Sequence, residues 1–257
     1  VQTCALPICS WRRKGRSSRQ AQNVLDLLVK EYTRRSKLPQ KWMKFSINDI
    51  PFNATIQAWV TSERPPQEVE KRIESIFKCM KELDVALTQV TAWNTLPLYA
   101  LEGIKDAPAK ILRLLDLSMA RNGGGKNPML QNQIFEKALE ICSNSPDDSG
   151  AAGVTEEIFL NRYFEQPRKE RKIETTISGF QYCIQSWKRD NEHSKDDKRK
   201  QIKKILNIME KEVEHIYVHM HNHDPSASKV FASLAKAWAL STSPSNALRS
   251  AEDNVRS

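Results

Sequence analysis

Glycine is scarce in this chain, 8 of 257 residues, and three of the eight stand together at Gly123–Gly125. A sandwich or barrel needs many tight turns, so this scarcity argues against all-β architecture. With a mean hydropathy of −0.59 and 28% charged residues, it fits a mostly helical protein. Long apolar runs are also missing. None approaches the roughly 18 residues of a membrane-span candidate, and the longest near the end is broken by Lys236. No membrane partner is therefore expected. Cysteine is sparse and odd in number, at Cys4, Cys9, Cys79, Cys142 and Cys183, with no Cys-x-x-Cys pair. That excludes a disulfide framework and a structural zinc site, and it points to a reducing compartment.

Catalytic signatures are absent too. There is no serine elbow, no paired-carboxylate motif and no dinucleotide-binding glycine pattern. The tract Asn122-Gly123-Gly124-Gly125-Lys126-Asn127-Pro128 lacks the Ser or Thr that a phosphate loop needs after its lysine, and it follows a helical pattern instead of a strand. It reads as a helix C-cap, a linker and an N1 proline. His215 and His219 have the i, i+4 spacing of a metal pair, but the intervening Ile216-Tyr217-Val218 supplies no glutamate and no cysteine is near. They read as a polar helix end. No catalytic residue, metal, cofactor or small-molecule substrate is assigned.

What is present is a repeat. Phe52-Asn53-Ala54-Thr55-Ile56-Gln57-Ala58-Trp59 recurs as Phe180-Gln181-Tyr182-Cys183-Ile184-Gln185-Ser186-Trp187, and more loosely as Phe231 to Trp238. The Phe/Ile/Trp offsets of i, i+4 and i+7 fall on one stripe of an α-helix. Two turns cannot stand alone, so each copy needs a partner helix. Self-similarity at this scale predicts an all-α fold, an α-solenoid of stacked helix-turn-helix repeats.

Along the chain, residues 1–8 resemble a translated sequencing adapter and are set aside; the natural N-terminus, with any targeting signal, is then expected to be missing. Trp11 to Arg19 forms a basic arm, completing a segment of 1–17 before the repeats. An orphan helix follows over 18–37, with Val24, Leu27, Leu28 and Tyr32 at helical spacing. Repeats are expected at about 48–86, 88–122, 127–168, 173–222 and 224–257, the last truncated. In the first, Asp49 or Asn48 caps a helix A with Pro51 in its first turn, and Pro65-Pro66 starts a helix B carrying Val69, Ile73, Ile76, Phe77 and Met80. In the second, Trp93-Asn94-Thr95-Leu96 aligns with Phe52 to Thr55, and Pro97 predicts a helix that is kinked or begins late. The third carries a flexible insert from Ser143 to Gly153, and the fourth a polar stretch from Lys188 to Lys200.

The formal net charge of +9 favours a polyanionic partner. The units resemble pentatricopeptide repeats, through Phe52-Asn53 and Trp93-Asn94 near the starts of A helices and Met80, Met119 and Met209 late in B helices. The closing Ala58-Trp59 and Ala237-Trp238 are similar to divergent members of algal type. The resemblance implies a non-catalytic protein binding single-stranded RNA, acting in organellar RNA processing, stability or translation in a mitochondrion or chloroplast. It also implies which residues read bases: Asn53 with Gln89, Asn94 with Asn127, Asn132 with Thr176, and Gln181 with Ala227. Amides suit that task because they offer a donor and an acceptor to a base edge. The alternative is a tetratricopeptide-like scaffold for other proteins, in which those asparagines only cap helices. Cations clustered on the A helices favour RNA; cations on the B helices, as at Lys198-Arg199-Lys200 and Lys203-Lys204, favour a scaffold.

Overall fold

The computed structural model describes residues 18–37, 46–119, 127–145, 150–166, 171 and 173–219, the side chains at 173–174 and 213–219 excepted. Among these residues every regular element is a helix and there is no strand. The elements are α1 (Ser18–Ser36), α2 (Ile50–Val60), α3 (Pro66–Glu82), α4 (Gln89–Tyr99), α5 (Ala107–Met119), α6 (Pro128–Asn144), α7 (Ala151–Glu156) running into a π-helical turn (Glu157–Tyr163), α8 (Ile173–Arg189) and α9 (Lys195–His219). Two compact units divide the chain, Val1–Lys105 with Arg113–Lys126, and Asp106–Leu112 with Asn127–Ser257. The third Phe-to-Trp copy, the triple-glycine tract and Ala227 lie outside the described residues, as do the side chains of His215 and His219.

In the first unit, α2 packs against α1, α3 and α4. Its Phe52, Ile56 and Trp59 are buried, and so are Val69, Ile73, Ile76 and Met80 of α3. Burying each such side chain contributes about 1.5–3 kcal/mol, which holds short helices that could not persist alone. Pro51 and Pro66 both occupy the first turn, where a missing N–H is tolerated. α3 ends in a Schellman motif. Val85 N–H donates to the Met80 carbonyl at 2.8 Å and Asp84 takes a left-handed φ of 52°.

Three sequence expectations change here. α1 buries Ala21 and Leu25, not the stripe through Leu27, which is 65% exposed, because the helix meets α2 along the Ala21/Leu25 side. α4 does not begin late. A capping box starts it, Thr88 Oγ1 accepting from Thr91 N–H while Thr91 Oγ1 accepts from Thr88 N–H, and Pro97 falls in the last turn. Finally, the buried Ala92, Thr95, Leu96 and Tyr99 of α4 repeat the spacing of the buried Phe52, Thr55, Ile56 and Trp59 of α2. The two helices therefore align one residue away from the sequence match. The threonines confirm it: Thr55 Oγ1 donates to the Pro51 carbonyl and Thr95 Oγ1 to the Thr91 carbonyl, both at 2.8 Å.

In the second unit, α8 packs on α6, α7 and α9. Phe180, Ile184 and Trp187 are buried as their counterparts in α2 are. The expected Ser143–Gly153 insert is shorter than predicted. Ser143 is buried within α6, and α7 takes up Ala151 to Gly153 because Ala151 and Ala152 are small enough to pack in the core. The expected polar stretch likewise shrinks to the link between Arg189 and Lys195. Ser194 Oγ accepts from Asp197 N–H and donates to Asp197 Oδ2, starting α9.

The π-helical turn delivers Phe159 and Tyr163 into a cluster with Phe135, Phe164 and Phe180. Gly179 is what lets α8 approach it, since a Cβ there would collide with the Phe159 ring. Phe159 is fully buried and hemmed by three other rings, so it cannot yield. Gly179→Ala should cost about 1–3 kcal/mol of stability in denaturant unfolding. An unchanged midpoint would mean that this contact is not close in solution.

Candidate nucleic-acid interface

The residues assigned to base reading meet different fates. In the first unit α2 and α4 are joined by a polar seam at their N-terminal ends. Asp49 Oδ2 accepts from Asn53 Nδ2 at 3.0 Å and from Thr88 Oγ1 at 2.9 Å. Asn94 Nδ2 donates to the Asn53 carbonyl at 3.4 Å. The structure thus brings Asn53, Asn94 and the Thr88-Gln89 pair together. Asn53 itself is only 5% exposed, with its Oδ1 buried and unpartnered. Asn94 is half-buried, and Gln89 is half-buried with its amide on Met119 Sδ at 3.9 Å. The aligned burial puts Trp93, 41% exposed, at the place that Asn53 has in α2.

In the second unit Asn132 is 3% exposed and bonded at both ends of its amide. Its Nδ2 donates to the Pro128 carbonyl and its Oδ1 accepts from Tyr163 Oη at 2.8 Å. Asn127 is exposed but serves as the N-cap of α6, its Oδ1 accepting from the N–H groups of Met129 and Leu130. Thr176 is buried, and Gln181 is half-buried on α8.

Sequence reasoning did not foresee how the closing tryptophans act. Trp59 Nε1 donates to Gln22 Oε1 of α1 at 3.0 Å, and Arg72 of α3 lies over the indole at 5.7 Å. Trp187 Nε1 donates to Glu156 Oε2 at the end of α7 at 2.9 Å, and Lys204 of α9 donates to the other oxygen of Glu156 at 2.8 Å. In both copies the indole reaches back to a polar residue on the preceding helix, and a cation from the following helix completes the joint. Tyr99 takes the same place in α4. Burial, together with Glu70 and Glu74 of the preceding α3, pushes its hydroxyl up to about 12.

The charge distribution is uneven. α2 and α4 contain no charged residue, and Lys137 of α6 is paired with Glu140 at 3.0 Å. Cations concentrate on the other helices. On α1, Arg34 and Arg35 clasp Glu31, and hydrogen bonds from Arg34 and then Arg35 draw its carboxyl down to about 2. α3 carries four cations and four carboxylates, so it is neutral. Over residues 195–204, α9 has six cations against two carboxylates.

Two other features have structural explanations. Asp190, Glu192 and His193 bring ligand atoms within 4.8 Å of one another. Asp190 is spent on closing the α8–α9 turn, accepting from His193 N–H at 2.9 Å. Cys142 and Cys183 are buried, which pushes the Cys142 thiol up to about 12 and the Cys183 thiol well above its ordinary value, so neither is an activated thiolate. No helix of the described residues is long and apolar enough to cross a membrane. Compared with known proteins, the chain matches no family model, no curated protein and no solved structure.

Proposed function

We propose that this chain is a non-catalytic α-solenoid of pentatricopeptide type that binds single-stranded RNA, in an organellar setting, mitochondrion or chloroplast. The observation that carries the repeat reading is the recurring tryptophan joint, Trp59 on Gln22 and Trp187 on Glu156, which links a helix A to the helix before it in both copies. The formal net charge of +9 supports the polyanionic partner. Half-buried amides at Asn94 and Gln181 retain contact with solvent and are the base-facing candidates of this proposal. The buried Asn53, Asn132 and Thr176 then act by shaping the helix ends.

Two observations favour a protein-binding scaffold instead, and the first is that the cations concentrate on helices other than α2 and α4. The charge-free α2 and α4 expose Ile50, Val90 and Trp93, an apolar surface that suits another protein better than phosphates. A titration of the full chain against single-stranded RNA, duplex RNA and duplex DNA over a salt series separates the two. The RNA reading expects single-strand preference, weakened severalfold by Asn94→Ala and Gln181→Ala with helicity unchanged. Equal, weak binding to all three, abolished by moderate salt, would leave the scaffold reading standing.

A further inference from the structure

The strongest electrostatic feature of the described chain stands on a B helix, not on an A helix. Along α9, Lys200, Lys203, Lys204, Asn207 and Lys211 recur at helical spacing, and all are exposed. They form one polar stripe about 16 Å long. The opposite face, Ile202, Ile205, Leu206 and Met209, is buried. Of the described carboxylates of this helix, three have partners of their own. Asp197 accepts from the Ser194 hydroxyl, Asp196 lies 3.6 Å from Arg199, and Glu212 is buried against Arg171. Among the described side chains of α9, Glu210 borders the stripe along its length, and Asp196 and Asp197 stand at its N-terminal end. Lys204 is tied to Glu156, whereas among the described residues Lys200, Lys203 and Lys211 meet no ion-pair or hydrogen-bond partner. Three like charges held close on a folded helix repel one another, and an anion lying along them relieves that repulsion.

We propose that this outer face of α9 is where the phosphate backbone of single-stranded RNA docks. The inference rests on the RNA reading for its partner, but it moves the phosphate contacts from the A helices to a helix B. An anionic membrane fits less well. A surface-binding helix inserts its apolar face into lipid, and here that face is already buried in the protein core.

The test compares two triple variants of the full chain that remove the same charge. One is Lys200→Gln/Lys203→Gln/Lys211→Gln on α9. The other is Lys71→Gln/Lys78→Gln/Lys81→Gln on α3, whose lysines are equally exposed. Each is titrated with a mixed-sequence single-stranded RNA between roughly 50 and 200 mM salt. Three lost phosphate contacts should lower the slope of log affinity against log salt by about 2. The α9 variant is expected to show that loss with unchanged thermal unfolding, and the α3 variant is not. Equal losses in both, or none in either, would overturn docking on α9 while wild-type binding keeps the RNA reading intact. Absence of RNA binding by the wild type removes the RNA reading, and this proposal with it. Binding to phosphatidylserine vesicles that the α9 variant loses, with RNA binding unaltered, would assign the face to lipid and overturn the proposal.

Discussion

Replacing Glu212 by alanine should destabilise the second unit by about 3–5 kcal/mol, because it strands a buried guanidinium. Arg171 Nη2 lies 3.2 Å from Glu212 Oε1, and both side chains are almost wholly buried. The guanidinium stacks 4.3 Å above the Phe164 ring, and its Nε and Nη1 have no other partner. Among the described residues, Glu212 is thus the negative charge in hydrogen-bonding range of a cation that has given up its water. The pair is not expected to be worth that much in itself, since removing two charges from water offsets most of their attraction. A double change, Arg171→Met with Glu212→Leu, should therefore recover most of the loss. Unfolding in denaturant, followed by circular dichroism, checks the order. If Glu212→Ala unfolds no more easily than the double variant, the ion pair is solvated and this account of it is wrong.

Trp59→Ala should cost a comparable amount, about 3–5 kcal/mol. The indole is fully buried where α2 meets α1 and α3, so truncation leaves a cavity bordered by helices too short to collapse independently. Trp59→Phe separates packing from polarity. It keeps most of the ring and loses the bond to Gln22, so it should cost about 1 kcal/mol beyond the smaller volume change. Trp187→Phe should cost more than Trp59→Phe, because Glu156 would lose one of two donors while still holding Lys204. The same unfolding measurement reads all three. A Trp59→Ala variant within about 1 kcal/mol of wild type would remove the closing tryptophan as the repeat's joint.

Much of the helical layout was legible because local rules act within one turn. Pro51 and Pro66 mark first turns, Asn127-Pro128 starts α6, and the Phe/Ile/Trp stripes are buried in α2 and α8. Proline and capping preferences, and the 3.6-residue period, depend only on near neighbours. The alignment of α4 with α2 was less legible. Trp93 matched Phe52 in residue type, but a helix can rotate by one position when a small residue, here Ala92, packs better against its neighbour, leaving the larger ring at the surface. The π-helical turn and the Gly179 approach were invisible for a related reason. Both exist to fit Phe159 and Tyr163 against α6 and α8, and no local pattern encodes that demand.

The candidate site divides along the same line. Residue type alone nominated Asn53, Asn94 and Asn132 together, since one amide resembles another in sequence. Packing then separated them. Tyr163, arriving from the π-helical turn, takes the Asn132 carbonyl oxygen, and Asp49 takes the Asn53 amide, whereas Asn94 keeps partial contact with water. By itself the sequence determined a helical chain, the starts of α2, α3 and α6, the buried stripes of α2, α3 and α8 and the excess of cations, because each follows from composition or from spacing along one helix. Only the tertiary structure decided which amides face solvent, that Trp59 and Trp187 reach back to the preceding helix, and that three lysines of α9 stand on one exposed face without a partner among the described residues. Those outcomes depend on which surfaces meet, and residues far apart in the chain set that jointly.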